Sequence, residues 1–157
     1  MRHTFGFAVL LLVTSASAGL EEPAHKISSY LPSKDVEKFV VEKLDLSTFR
    51  NSFGPRREPG KRTFADFGLR PTNTSNGVIE FKKDDWNYTV KILGRRDYNN
   101  DGIEDLAIRF TDRSLVGSYR TESQLLLTRY SNDSKLIAIA YELDSANLDS
   151  SSSPASN

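Results

Sequence analysis

Cysteine is absent from the 157 residues, so no disulfide staples the fold and no thiol nucleophile or thiolate metal site can be built. Histidine is nearly absent. Of the two present, His3 lies in the first residues and His25 in a polar stretch, so a Ser-His-Asp triad or a typical zinc site lacks its imidazole. An excess of one charge is missing too, since 21 basic side chains meet 21 acidic ones. That balance gives no reason to expect nucleic acid or an anionic membrane as partner. After the first residues, no apolar run approaches the roughly 20 positions that a membrane helix needs.

The first thing present is a leader. Arg2 and His3 precede an apolar run from Phe5 to Val13, and Thr14-Ser15-Ala16-Ser17-Ala18 follows. Ala16 and Ala18 fit an A-x-A cleavage signal. Residues 1–18 are therefore expected to be a signal peptide, and the protein to be exported, either periplasmic or secreted. Residues 19–32 form a polar lead-in, 33–145 a single globular domain, and 146–157 a flexible Ser-rich tail that cannot offset the cost of ordering its backbone. With no disulfide, a bound divalent ion is a natural source of added stability, because a ligand of the folded state alone stabilises it.

Helical spacing occurs once. Val36, Phe39, Val40 and Leu44 share one helical face, with Ser33 as the expected N-cap and Asp35 in the first turn. The spacing predicts a helix from about 34 to 45. Pro55, Pro59, Gly54 and Gly60 break the stretch that follows, and Thr63 to Gly68 reads as one helical turn. After the Asn76-Gly77 turn the period becomes two. Ile79 and Phe81 alternate with polar neighbours, as do Trp86, Tyr88, Val90 and Ile92, and then Leu106, Ile108 and Phe110. Leu125 to Tyr130 and Leu136 to Leu143 read as a hairpin about the turn at 132–134. The second of these is apolar on both faces, which predicts a central strand beneath the helix. The expected fold is α+β: an N-terminal amphipathic helix on a mainly antiparallel sheet of about five strands.

Between two of these strands lies Asp97-Tyr98-Asn99-Asn100-Asp101-Gly102-Ile103-Glu104-Asp105. Its pattern, D-x-N-x-D-G-x-x-D, alternates oxygen-bearing side chains in a tight loop, as a hard cation with six to eight oxygen ligands requires. Gly102 permits the sharp turn, and Ile103 offers its backbone carbonyl whatever its side chain. The candidate calcium ligands are Asp97, Asn99, Asp101, Ile103 and Asp105. Three carboxylates suit a +2 ion and repel one another without it. An EF-hand needs a bidentate Glu at position 12, where this chain has Ile108 within a strand. The bland reading is a polar Asx-rich turn that binds no metal.

Residues Gly94 to Ile108, from the apolar strand through the D-x-N-x-D-G-x-x-D-L run into the next strand, resemble an FG-GAP or VCBS-type repeat segment, in one copy over about 94–110. The resemblance implies that the Asp and Asn positions and the position-7 carbonyl bind Ca2+ between strands, in secreted or cell-surface proteins. Extracellular loops of this kind bind weakly, with Kd of about 10⁻⁴ to 10⁻³ M.

Other features admit weaker readings. Trp86 and Tyr88 on one strand face would stack on sugar rings if exposed, but Val90 and Ile92 share that face, which favours packing. Residues 50–62, with Arg50, Arg56, Arg57, Lys61 and Arg62, form a basic loop that suits an anionic polysaccharide or a solvated surface. Glu80, Asp84, Asp85 and Glu104 are the acids near the strands from which a carboxylate hydrolase would have to be assembled. The expected function is thus a non-enzymatic, calcium-binding exported domain of structural, adhesion or recognition type, with an extracellular polysaccharide or surface protein as partner. The alternatives are a carbohydrate-binding module and, behind it, a small carboxylate- or metal-dependent hydrolase.

Overall fold

Alternating apolar residues from position 78 onward form one antiparallel sheet in the computed structural model, which describes residues 26–50 and 52–140. The expected signal peptide, the first part of the lead-in with His25, and the tail lie outside the described residues, as does the proposed end of the domain at 145. Six strands run β1 (Pro71–Ser75), β2 (Val78–Lys83), β3 (Trp86–Arg96), β4 (Asp105–Ser114), β5 (Arg120–Thr128) and β6 (Ile137–Ala140). Each pairs with the next, so the sheet order is the chain order. The turns are tight where the sequence allows it: Asn76 and Gly77 take φ of 51° and 75° between β1 and β2, and Asp84 takes 51° between β2 and β3.

One sheet face is the core. Ile79 and Phe81 of β2, Tyr88 and Val90 of β3, Leu106, Ile108 and Phe110 of β4, and Leu125 and Leu127 of β5 are all buried in one cluster. The register brings them together, with Phe81 opposite Tyr88, Val90 opposite Phe110 and Ile108 opposite Leu125. The cover is mostly irregular chain. Phe49 meets Phe110 edge-on at 5.0 Å, Phe64 stacks on Phe81 at 4.0 Å, and Leu46, Phe67 and Leu69 are buried beside them. The 3₁₀ turn Leu46–Thr48 is tied to the sheet edge by the Ala138 N–H donating to Thr48 Oγ1 at 3.0 Å.

The expected α+β class is corrected by this arrangement: the fold is mainly β. The helix, α1 (Val36–Lys43), has only 8 residues. Its stripe does enter the core through Val40 and Leu44, but the rest of the cover is built by 46–69, where glycine and proline bar a helix. Thr63 to Gly68 makes the single turn expected: the Phe67 N–H donates to the Thr63 carbonyl at 3.3 Å, the Asp66 N–H to Thr63 Oγ1 at 3.4 Å, and Gly68 ends it with φ of 68°. Asp35 rather than Ser33 occupies the N-cap, in a left-handed conformation and without a side-chain cap. The sheet has six strands, not about five; β1 is polar and fully exposed, so no alternation announces it. The strand expected to be central, beginning at Leu136, stands at the sheet edge among the described residues. Only Leu136, just before β6, is fully buried, through a parallel bridge to Leu44 just after α1; residues 137–139 are half-buried. Among the described residues no helix is long and apolar enough to cross a membrane.

Candidate functional site

The long β3–β4 hairpin holds the candidate loop at one end. β3 finishes at Arg96 and β4 begins at Asp105, which are paired across the ladder, so residues 97–104 must close the turn. They do so by wrapping backbone N–H groups around side-chain oxygens. Asp97 accepts from the Asp101 N–H at 3.1 Å and, through its other oxygen, from the Gly102 N–H at 2.8 Å. Asn99 Oδ1 accepts from Asp101 N–H at 3.1 Å, and Asp101 Oδ1 from Ile103 N–H at 2.9 Å. The coil needs positive φ at Asn100 (59°) and Gly102 (82°), the second of which glycine adopts without penalty.

Asp105 sits at the base of this coil and is fully buried. Its Oδ2 accepts the Tyr98 N–H at 3.2 Å, and the buried Thr128 hydroxyl is its other hydrogen-bonding neighbour. Burial pushes its carboxyl above the usual range. The Thr128 hydroxyl and Tyr98 N–H oppose this, and the charges of Asp101 and Asp97 add to the upward push. The loop therefore places one buried carboxylate within electrostatic reach of two more. A cation would relieve the mutual repulsion of these carboxylates. As placed, no group of three acidic or histidine side chains among the described residues forms a finished cage, because the oxygens of Asp97, Asn99 and Asp101 face the loop amides. Each such oxygen keeps a second lone pair. The five candidate groups are oxygen ligands of the kind Ca2+ takes, but fewer than the six to eight it needs, so side-chain rotation and water would have to complete any site.

The loop is anchored outside the sheet. Arg95 grips Glu104 with two bonds, at 2.9 and 2.6 Å, and donates to the Pro32 carbonyl at 2.8 Å. Ser29 Oγ reaches the same Glu104 carboxylate at 2.5 Å. Ser28 donates to the Gly102 carbonyl and accepts from the Glu104 N–H, both at 2.8 Å. The lead-in thus runs as a short parallel partner beside Ile103. Its pairing was not evident from sequence, where 19–32 has no strand period.

The chain matches no protein-family model, no curated protein and no solved structure.

The remaining sequence-predicted residues divide. Glu80, Asp84, Asp85 and Glu104 do not converge: Asp84 and Asp85 form the turn before β3, and Glu104 lies beyond the other end of that strand, held by Arg95. Much of the basic loop is occupied structurally. Arg62 pairs with buried Asp45, Arg57 donates to the Phe49 carbonyl, and Lys61 pairs with Glu58 at 2.6 Å. Tyr88 is buried, whereas Trp86, at the strand's start, is 36% exposed.

One functional-looking residue was missed. Asp112 continues the inward register of Leu106, Ile108 and Phe110, opposite Tyr88. It is 2% exposed; its Oδ2 accepts the Gly54 N–H at 2.9 Å and its Oδ1 has no partner. Burial pushes its carboxyl up to about 6. The signal was an acid on the core parity of a strand, but its neighbour Gly54 lies 58 positions away and could not be read from spacing.

Proposed function

We propose that this chain is an exported, non-enzymatic calcium-binding domain in which Ca2+ clips the loop joining β3 to β4, in a structural, adhesion or recognition role outside the cytoplasm. The observation that carries the reading is the fully buried Asp105 carboxylate at the base of a loop that also holds Asn99 together with Asp97 and Asp101, whose charges act on it. The likeness of this loop to FG-GAP and VCBS-type segments supports it, and so does the leader-like N-terminus. A polysaccharide or surface protein is the class of partner that such a domain would meet.

Calorimetric titration with Ca2+ tests the reading, with thermal unfolding beside it. At a tenfold excess over a weak Kd, the ion adds about 1.4 kcal/mol, which raises the midpoint of a domain this size by about 5 °C. A chelator reverses the rise, and Asp101→Ala, which removes a ligand on an exposed part of the loop, abolishes it. A midpoint indifferent to millimolar Ca2+, with no binding heat, overturns the proposal and leaves an Asx-stabilised turn.

A further inference from the structure

The opposite end of the β3–β4 ladder holds a second built feature, independent of the calcium reading. Trp86 and Asp112 lie there, about 30–36 Å along β3 from the Asp97 loop at roughly 3.3 Å per residue. The Trp86 and Tyr88 rings are nearly parallel, 8° apart, with centroids at 6.4 Å. Tyr119, from the connection after β4, stands across Trp86 at 67° and 5.4 Å. Its hydroxyl donates to the Ser52 carbonyl at 2.8 Å, fixing that wall. Together with Gly54, Arg56 and Asp112 these rings bound an open cleft of about 350 Å³. A smaller lobe of about 200 Å³ adjoins it past Trp86, lined by Phe67, Leu69, Lys83 and Asp84 among others.

Two features of this cleft call for a ligand. Asp112 lines it, and its Oδ1, closed to solvent and unsatisfied by any protein group, is a costly unpaired acceptor that a small shift of the lining would open to a ligand. Trp86 and Tyr119 keep large aromatic surface exposed around it, at 36% and 42%. The partner that meets both needs has an apolar face of ring dimensions and a hydroxyl donor at its edge. Cationic ligands would also suit the aromatic rings, but Arg56 on the rim opposes them. Anionic ligands would meet the Asp112 carboxylate. We propose that this cleft binds a neutral saccharide, one ring packing its C–H face on Trp86 and donating a hydroxyl to Asp112 Oδ1, with the next ring extending past Trp86 into the smaller lobe.

Trp86 is the chain's single tryptophan, so its emission reports on the cleft directly. The full chain is titrated with neutral cello-, xylo-, manno- and chito-oligosaccharides, and in parallel with choline and with oligogalacturonate. At least one neutral series is expected to shift the emission saturably at millimolar concentration, with oligosaccharides binding more tightly than their monosaccharides. Tyr119→Ala removes an exposed wall and weakens binding about tenfold; Asp112→Asn, which keeps an acceptor for Gly54, weakens it by a similar factor. Circular dichroism verifies that each variant is folded, and Tyr119→Ala suffices if Asp112→Asn is not. The proposal is overturned if no neutral sugar gives a saturable shift, if binding is unchanged in folded variants, or if choline or oligogalacturonate alone is bound.

Discussion

Asp105 and Asp112 are each buried at one end of the same strand, β4, with one carboxylate oxygen accepting a backbone N–H; the second oxygen of Asp112 has no partner, whereas the Thr128 hydroxyl also bonds Asp105. The same physics gives them different consequences in solution. For Asp112 the carboxyl is raised from an ordinary value of 3.8 to about 6, chiefly by burial. A raised acid favours the protonated form in the fold, so its stabilising contribution is complete below pH 3.8 and is lost as pH climbs through 6. The span of about two pH units corresponds to about 3 kcal/mol. Urea unfolding at pH 4 and pH 7 should therefore show the wild type losing about that much relative to Asp112→Asn, whose side chain does not titrate. Parallel pH dependences in the two proteins would mean that Asp112 is solvated and ordinary. At this scale the sequence was unevenly legible. The candidate loop residues lie within nine consecutive positions, so their juxtaposition could be read directly. The Asp112 cleft needs Ser52, Gly54 and Tyr119 brought from distant parts of the chain, which no local spacing reports.

Among the elements, the β3–β4 hairpin dominates, and its weak point is Gly94. The ladder slips between Ile92 and Gly94, and a Cβ at Gly94 would come within 2.6 Å of the Tyr98 hydroxyl. The Arg96 guanidinium lies over the Tyr98 ring at 4.6 Å, which holds that ring in place. Gly94→Ala should displace Tyr98 and loosen the turn, lowering stability by about 1–3 kcal/mol and weakening any Ca2+ response at the same time. An unchanged thermal midpoint and Ca2+ titration would show that the ring moves freely. Phe110 joins the sheet to its irregular cover through Phe49 and Phe53, so Phe110→Ala should cost about 3–5 kcal/mol in denaturant unfolding. That cover explains where periodicity misled. Strands β2 to β5 announced themselves through alternation, because one face of each is buried and much of the other is wet. The helix announced itself too, yet eight residues cannot roof six strands, and the phenylalanines that complete the roof sit among prolines and glycines with no period to detect. Strand β1, Pro71–Ser75, has no buried face and so no pattern.

For the whole molecule, the lead-in and the loop form one mechanical unit. Ser28 exchanges two backbone bonds with Gly102 and Glu104, Ser29 shares the Glu104 carboxylate with Arg95, and Arg95 also holds Pro32. The Arg95 guanidinium keeps the Glu104 carboxyl below the usual range, so this clamp weakens as acid protonates it. An ion that fixes residues 97–105 would fix Gly102 and Glu104, and with them the strand-like run of Ser28. Hydrogen exchange separates this from a purely local effect. Ca2+ should slow exchange of the Ser28 and Glu104 amides by the same factor that it stabilises the loop, about tenfold at tenfold excess over Kd, when they exchange by local opening. Arg95→Ala should leave Ca2+ binding to the loop detectable by calorimetry but abolish the protection of the Ser28 amide, because the carboxylate that Ser29 shares is no longer held. Trp86 emission should stay constant throughout, since it lies at the far end of β3. Protection of Ser28 that persists in Arg95→Ala would show that the two backbone bonds alone carry the coupling, and an emission change on adding Ca2+ would show that the ladder transmits it along its full length.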